Sequence, residues 1–186
     1  MMWYTQEQLE QWFALQEKRE ASEVSLNFNG EDLFKNIRLD GDFTLTSGKK
    51  SNYFYDFERM TPNYMTFVSG LLHEKLKDKC DFEFTIGPAY GGIIPAHTVA
   101  DFANKKFVSY HPKSNEFRGQ LTQVSGRYII VDDVISTYGT VRKTIEAATD
   151  KFPNSRCVGV ACFVFRGAEI DEGLQTYSLQ RGEVEV

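Results

Sequence analysis

The feature that most constrains the fold is a set of short segments that are apolar at every position. Residues 128–131 and 157–165 are the clearest cases, and helix-like segments with apolar residues three and four apart alternate with them. A strand that is apolar on both faces must be covered on both sides, which is typical of parallel sheets. The sequence therefore predicts an α/β fold in which a central parallel sheet is flanked by helices.

The spacing of apolar residues also predicts where individual elements lie. Thr5 and Gln8 fit a capping box for a first helix, Asp40-Gly41 fits the tight turn of a hairpin, and Thr61-Pro62 fits a helix start. Strands are predicted at 24–28, 51–57, 82–86, 107–110, 128–131 and 157–165, and further helices at 91–103 and 140–152. Residues 178–186 are polar and predicted to be a frayed end.

Length and composition limit the class of protein. The 186 residues suit a single domain, 1–186, with an N-terminal segment at 1–34 and a core at 35–170. A net charge of -5, with no basic run outside 105–118, argues against a nucleic-acid or membrane binder. Three cysteines without a CxxC pair indicate reduced thiols rather than a metal site. No signal-like or membrane-spanning stretch is present, so we expect a cytoplasmic protein.

The segment at 127–148, RYIIVDDVISTYGTVRKTIEAA, carries the most chemical information. An apolar strand leads into Asp132 and Asp133, and a loop of small and hydroxyl residues then leads into a helix. A helix N-terminus has free amides that favour a phosphate, and adjacent carboxylates can accept hydrogen bonds from a sugar diol. The string predicts a sugar-phosphate site at the carboxyl end of a strand. An acidic turn before an ordinary helix cap would explain the two acids alone, but not the whole string.

This string resembles the motif by which type I phosphoribosyltransferases bind 5-phosphoribosyl 1-diphosphate (PRPP). The resemblance implies the fold of that family, with a small N-terminal hood region. It also implies that Asp132 and Asp133 contact the ribose hydroxyls and that the loop contacts the 5′-phosphate. The loop residues, called the phosphate loop below, are Ser136, Thr137, Tyr138, Gly139 and Thr140. Tyr138 stands where the family usually has glycine, and a positive φ there would strain it.

Two further segments resemble the orotate branch of that family. FTLTSGKKSNYFYDF at 43–57 resembles its N-terminal signature, which implies that Phe54 and Tyr55 lie against the pyrimidine; Phe54 could equally be a core residue. FTIGPAYGGIIPA at 84–96 resembles its pyrophosphate loop. Backbone amides at Ala89, Tyr90, Gly91 and Gly92 would then face the pyrophosphate. Thr46 and Gly91 stand where relatives carry lysine.

Two more segments supply charged candidates. Residues 107–120 lie where the family has a mobile basic loop that reaches over the neighbouring subunit's site, so the resemblance implies a homodimer. Its basic residues are His111, Lys113 and Arg118, any of which could instead be solvated surface residues. In CFVFRGAE, Arg166 matches the arginine that holds the orotate carboxylate, and an ordinary surface arginine is the alternative. The resemblance also places Ser136 beside orotate.

The reaction implied by the resemblance joins orotate to PRPP, giving orotidine 5′-monophosphate and pyrophosphate. Asp132, Asp133 and Lys113 are the candidate catalytic residues, and Mg²⁺ is expected to be held mostly by the substrate rather than by protein side chains. Three alternatives stay open. The chain could use another base, it could be a non-catalytic PRPP-binding regulator, or it could bind PRPP without turnover.

Overall fold

The structure, a computed structural model, describes residues 33–44, 48, 50–121, 124–167 and 174–182. The helix predicted from Thr5, the strand at 24–28 and Thr46 lie outside the described residues. The chain divides into two compact units, residues 1–35 and 36–186, and every described strand and α-helix belongs to the second. The prediction of a single domain with a core at 35–170 stays a prediction.

The second unit is an α/β structure with a mostly parallel sheet, as predicted. Its strands and helices, in chain order, are β1 (Arg38–Thr44), β2 (Lys50–Tyr55), α1 (Pro62–Leu76), β3 (Phe84–Pro88), α2 (Ile93–Phe102), β4 (Lys106–His111), β5 (Glu116–Gly119), β6 (Gly126–Ile135), α3 (Gly139–Lys151), β7 (Ser155–Phe165) and β8 (Thr176–Arg181). Strands β1 and β2 form an antiparallel pair. The other six strands form one sheet in the order β5-β4-β3-β6-β7-β8, in which only β5 is antiparallel to its neighbour.

The central sheet is buried on both faces, which explains why its strands are apolar at every position. On β3, Phe84 and Ile86 belong to the cluster that includes residues of α3. Thr85, between them, points to the other side, where its hydroxyl donates to the Ala96 carbonyl of α2 at 2.9 Å. Alternate side chains of one strand therefore meet helices on opposite faces of the sheet.

The helix predicted after Thr61-Pro62 is confirmed with its cap. Thr61 has extended backbone, its hydroxyl accepts from the Tyr64 amide at 3.3 Å, and Pro62 is the first helical residue. Proline fits there because the first helical amide has no partner within the helix. Among the described helices, none is long and apolar enough to cross a membrane.

The hairpin turn predicted at Asp40-Gly41 is wrong. Both residues lie inside β1, where the register against β2 shifts between Asp40 and Phe43. Pairing with β2 continues beyond the shift to Thr44 and Lys50, and the rings of Phe43 and Phe54 lie 5.7 Å apart. Because strand pairing and this aromatic contact flank the Asp-Gly pair, it forms a bulge and the chain reverses later.

Two strands replace segments that were predicted to be irregular. The strand predicted at 107–110 is confirmed within β4, whereas the rest of the basic segment includes β5, which pairs antiparallel with β4 instead of forming an open loop. Phe117 of β5 packs on Tyr110 with ring centroids 4.7 Å apart. The predicted frayed end is also wrong over residues 178–181, which belong to β8 and pair in parallel with β7. Tyr177 anchors that strand by its burial and by donating to the Lys79 carbonyl at 3.0 Å.

Candidate active site

The two acids lie within β6 rather than after its end. The ladder between β6 and β7 pairs Asp132 with Cys162 and continues to Ile135 and Phe165. The predicted strand end at 131 is therefore four residues too early, because β7 is long enough to pair with the residues beyond the acids. Asp132 is buried and Asp133 is half-buried.

Local hydrogen bonds orient the two carboxylates. Asp132 Oδ1 accepts from the Asp133 amide at 3.0 Å, and Asp133 Oδ1 accepts from the Val134 amide at 2.7 Å. Burial raises the pKa of both carboxyl groups, and the nearby Asp133 raises the pKa of Asp132 further. One buried and one half-buried carboxylate that repel each other favour binding of a hydrogen-bond donor or a cation between or beside them.

The pyrophosphate loop, residues 89–92, contacts the acid pair because β3 and β6 are adjacent strands. A Cβ atom on Gly91 would lie 2.3 Å from Asp133 Oδ2, and one on Gly92 would lie 2.6 Å from the Val131 carbonyl oxygen and 2.9 Å from Asp132 Oδ1. A Cβ at position 92 would meet backbone, whereas one at position 91 would displace the Asp133 carboxylate, so both positions favour glycine. The carboxyl ends of neighbouring parallel strands thus bring two separate sequence motifs together, as expected for a ligand site in such a sheet.

Two of the four amides of the pyrophosphate loop already donate to backbone carbonyls. The Ala89 amide donates to the Tyr110 carbonyl at 2.7 Å, and the Gly92 amide donates to the Pro88 carbonyl at 3.0 Å. The prediction that all four amides face a ligand is therefore wrong for Ala89 and Gly92, since the first continues the pairing of β3 with β4 and the second begins α2. Within the described residues, the amides of Tyr90 and Gly91 have no such backbone acceptor.

The phosphate loop lines a cleft of about 360 Å³ at the same edge of the sheet. Asp132 contributes to the lining, as does Pro112 from the turn between β4 and β5. Helix α3 begins at Gly139, so its N-terminal amides and the positive end of its dipole are directed to this loop. This arrangement suits a phosphate group.

Tyr138 has a left-handed backbone, with φ 55° and ψ 3°. The positive φ costs a non-glycine residue about 1–2 kcal/mol. The side chain is buried, its ring meets Phe165 edge-to-face at 5.8 Å, and its hydroxyl meets the hydroxyl of Thr176 on β8. Tyrosine at this position therefore supplies core contacts that glycine cannot.

Phe54 and Tyr55 lie on opposite faces of β2. Phe54 is 41% exposed, whereas Tyr55 is 5% exposed and packs against Tyr53 and Phe57, with ring centroids 5.6 and 6.2 Å apart. Adjacent residues of a strand point to opposite sides, so both rings cannot stack on one base from the same side. Phe54 is the ring that the fold leaves accessible, and Tyr55 supports the hairpin from the core.

Arg166 is a buried residue, which contradicts the alternative that it is an ordinary surface arginine. It is 3% exposed, its guanidinium lies 3.8 Å from the centroid of the Tyr53 ring, and Nη2 donates to Ser51 Oγ at 2.7 Å. Its backbone amide donates to the Ile135 carbonyl at 2.8 Å. Arg166 therefore connects the β1–β2 hairpin to the end of the strand that carries the two acids.

The three basic residues of the β4–β5 hairpin have different surroundings. His111 ends β4, where its ring lies 6.3 Å from that of Tyr90 and its Nε2 is 3.2 Å from Ser109 Oγ. Lys113 is exposed in the turn, next to Pro112 of the cleft. Arg118 is exposed on β5 and pairs with Glu116 at 2.9 Å, in a groove beside α3 instead of the cleft. The structure thus separates Arg118 from the other two.

Lys143 is a cleft residue that the motif comparison did not identify. It lies on α3, three residues after Thr140, and lines the cleft with the phosphate loop. Residues three apart on a helix share a face, so a lysine one turn after the motif was a usable signal.

The known proteins that are similar to this chain include several orotate phosphoribosyltransferases. No family model matches the chain. The orotate phosphoribosyltransferase of Carboxydothermus hydrogenoformans is 31% identical over 160 residues, which cover 82% of this chain and 83% of that protein. The crystal structure of orotate phosphoribosyltransferase from Aeropyrum pernix has a TM-score of 0.66 at 24% identity and covers 81% of this chain and 92% of its own. The Mycobacterium tuberculosis enzyme in complex with PRPP gives 0.63 at 20% identity, over 83% and 94%.

Sheet order, acid pair and phosphate loop together define a type I phosphoribosyltransferase fold. The solved structures establish the fold alone, because their identities are low. The curated relative establishes more, since it is similar over most of both sequences. The chain belongs to the orotate phosphoribosyltransferase family.

Proposed function

We propose that this chain transfers the phosphoribosyl group of PRPP to orotate, giving orotidine 5′-monophosphate and pyrophosphate. One observation carries the proposal: Asp132 and Asp133 lie between the pyrophosphate loop and the phosphate loop at one edge of the sheet. These three features match the three parts of PRPP, which are a ribose diol, a pyrophosphate and a 5′-phosphate. The bond from ribose C1 to the pyrophosphate oxygen breaks, and a bond from C1 to the pyrimidine nitrogen forms.

The 5′-phosphate is assigned to the phosphate loop. Loop amides and the hydroxyls of Ser136, Thr137 and Thr140 supply donors, and the dipole of α3 adds favourable potential. Lys143 supplies a positive charge at the rim of the same cleft. Holding this end fixes the position of ribose C1, which is the main catalytic contribution of a binding group far from the breaking bond.

The ribose hydroxyls are assigned to Asp132 and Asp133. Each carboxylate has one protein amide as a donor, so other lone pairs of the acids remain for the sugar. Binding the diol offsets the cost of holding two carboxylates in a buried position. Negative charge on the pair also favours the positive charge that develops on the ribose ring as the C1–O bond breaks.

The acid pair also fits a magnesium ion that the substrate mostly holds. Carboxylate oxygens are the ligands that Mg²⁺ prefers. The described residues contain no group of three or more metal-ligating side chains, so the remaining ligands would come from PRPP and water. When bound, the ion would neutralise charge on the pyrophosphate.

The leaving pyrophosphate is assigned to the amides of Tyr90 and Gly91 and to two basic side chains. His111 lies beside Tyr90, and Lys113, which is exposed in the hairpin turn, is proposed to reach the pyrophosphate of the neighbouring subunit. A positive group that meets charge developing on the leaving oxygen acts mainly in the transition state. Lys113 is therefore the proposed catalytic residue of the hairpin, and Arg118, which pairs with Glu116, has no assigned role.

The pyrimidine is assigned to Phe54, Arg166 and Ser136, as the resemblance to the orotate branch implies. Phe54 offers an exposed aromatic face, and the Arg166 guanidinium can bond a planar carboxylate bidentately. Because Arg166 already stacks on Tyr53, its orientation is fixed before a substrate arrives. Preorganisation of this kind lowers the entropy lost on binding.

The proposal includes a cytoplasmic homodimer in which Lys113 acts on the neighbouring subunit's site, as the resemblance of the basic hairpin implies. A mixture of two inactive variants tests this arrangement. Lys113→Ala and Asp132→Asn place their defects in different halves of such a site. Refolding the two together should restore part of the activity, whereas a site built from one chain should stay inactive in the mixture.

The activity itself is tested by following orotate absorbance with PRPP and Mg²⁺. The wild type should consume orotate, and the double variant Asp132→Asn with Asp133→Asn should lose at least a thousandfold in kcat/KM while keeping its circular dichroism spectrum. Asp101→Asn with Asp150→Asn, on exposed helix positions, removes the same charge and should stay active. Turnover of adenine, hypoxanthine or uracil in place of orotate, or an active double variant, would contradict the proposal.

A further inference from the structure

We propose that the side chain of Tyr138 is a positioning device that fixes the phosphate loop to β8 through the hydroxyl of Thr176. The inference rests on the proposed function, in which that loop holds the 5′-phosphate of PRPP. Tyr138 and Thr176 are 38 residues apart in sequence, and their hydroxyls meet in a part-buried position. The link joins the loop to a strand that carries no residue of the acid pair.

The backbone of Tyr138 gives the first argument. Its left-handed conformation turns the chain from β6 into α3. A single left-handed residue of this kind is how a loop can aim successive amides at an anion. A tyrosine resists this conformation more than a glycine does. The conformation therefore has to be held by other contacts, and the side chain of Tyr138 itself provides them.

The environment of the ring gives the second argument. The ring is 5% exposed and packs edge-to-face on Phe165, the last residue of β7. The phosphate loop meanwhile lines the cleft. The side chain is thus a buried anchor for a loop whose ligand-facing groups are its amides and small hydroxyls.

The attachment of β8 gives the third argument, because an anchor requires a fixed support. Tyr177, next to Thr176, donates to the Lys79 carbonyl at 3.0 Å, and the Lys75 ammonium donates to the Ser178 carbonyl. Both lysines come from α1 or the turn that follows it. Thr176 therefore belongs to a strand that is held at neighbouring positions to another element.

Further along, the same strand also supports the base side of the site. Gln180 Nε2 is 3.4 Å from the Tyr55 hydroxyl, and a Cβ on Gly182 would meet Arg166 Cγ at 2.8 Å. The phosphate loop therefore contacts β8, and Arg166 contacts the residue that follows this strand.

The test is a double-mutant cycle on the hydroxyl link. Tyr138→Phe and Thr176→Val each remove one hydroxyl and keep the buried shape. Each should raise KM for PRPP about three- to tenfold, the effect of one hydrogen bond. KM for orotate and kcat at saturation should stay within about twofold. Because both variants break the same link, the double variant should be no worse than either single one.

Tyr177→Phe is the matched control. Tyr177 lies on β8 next to Thr176 and is as buried as Tyr138, but its hydroxyl donates to the Lys79 carbonyl instead of contacting the phosphate loop. The substitution should lower the unfolding temperature and leave KM for PRPP within twofold. Tyr138→Gly, which keeps the backbone conformation and removes the anchor, should raise KM for PRPP at least as much as Tyr138→Phe.

Several results would overturn the inference. Unchanged KM for PRPP in Tyr138→Phe, or losses that multiply in the double variant, would show that the hydroxyl link does not position the loop. An equal rise in Tyr177→Phe would assign the effect to general loosening of β8. Calorimetric binding of PRPP at low temperature decides the matter for any variant of reduced stability. The same binding measurement also tests the role of Tyr138 if the wild type fails to use orotate, a result that would count against the proposed function alone.

Discussion

Replacement of Gly91 by alanine should separate catalytic damage from damage to the fold. A Cβ at position 91 would lie 2.3, 2.5 and 2.6 Å from the three outer atoms of the Asp133 carboxylate. Carbon and oxygen atoms that are not bonded stay more than about 3 Å apart, so the carboxylate has to move by about 1 Å. Such a movement takes the Asp133 carboxylate away from the position proposed for the ribose hydroxyls.

The magnitude follows from the interaction that is lost. A hydrogen bond to a charged group contributes about 1.5–3 kcal/mol, and about 1.4 kcal/mol corresponds to a tenfold change. We therefore expect kcat/KM for PRPP to fall by about 10- to 100-fold. The unfolding temperature should fall by no more than about 3 °C, because the clashing atoms belong to the tip of a side chain that can rotate and the backbone need not shift.

Gly92→Ala provides the contrast. Its Cβ would meet the Val131 carbonyl oxygen at 2.6 Å, and backbone cannot rotate away. Overpacking of this kind costs about 1–3 kcal/mol, which lowers the unfolding temperature by about 3–10 °C in a chain of this size. Initial rates against PRPP concentration and calorimetric scans measure both effects. If Gly91→Ala kept kcat/KM within threefold of wild type, Asp133 would have no role in binding the sugar.

Three other changes test individual assignments. Burial raises the pKa of Asp132 above its unfolded value, so the stability of the wild type falls as pH rises through that pKa. Asp132→Asn should therefore unfold at a higher temperature than the wild type at pH 8, and this difference should vanish towards pH 4. A difference that does not depend on pH would show that the buried charge of Asp132 is not its cause. Arg166→Ala should raise KM for orotate more than tenfold and change KM for PRPP little, and an equal rise of both KM values would refute its role. Arg38→Ala, which removes the other cation from the Tyr53 ring, should leave KM for orotate unchanged. Lys113→Ala should lower kcat at least tenfold with less change in KM, and an unchanged kcat would remove it from the mechanism.

The sequence predicted the part of the fold that depends on local pattern. Residues 128–131 and 157–165 are apolar throughout, and both lie in central parallel strands that are covered on both faces. Thr61-Pro62 likewise carries its own start signal, because the cap bond is made to a residue three positions away. Such features require only neighbours in sequence, so a single chain suffices to detect them.

Elements that depend on distant partners escaped prediction. In β8, residues Thr176–Arg181, only Tyr177 is fully buried, so the alternation typical of a strand is weak. Its pairing with β7 supplies what its composition lacks. β5 is charged and short, and it forms because Phe117 packs on Tyr110 of the neighbouring strand. At Asp40-Gly41 the local turn signal was genuine, but pairing of β1 with β2 on both sides of it determined the outcome.

The sequence predicted which residues form the site, but only part of the geometry that brings them together. The acid pair and the phosphate loop form a contiguous string, so the string itself placed them at one strand end. Which amides are already bonded could not be read from it, because the Ala89 amide is engaged by Tyr110 on the neighbouring strand. The opposite orientation of Phe54 and Tyr55 could have been inferred, since residues of a strand alternate between faces.

The two departures from the family pattern near the acid pair have opposite physical causes. Gly91 is small where relatives have lysine, because the Asp133 carboxylate occupies the space that a Cβ would need. Tyr138 is large where relatives have glycine, because its ring fills the core against Phe165 while its backbone keeps the left-handed turn that glycine would adopt. The amides at both positions stay in place. Because contacts inside the folded site explain both departures, neither is evidence for a degraded relative that binds PRPP without turnover.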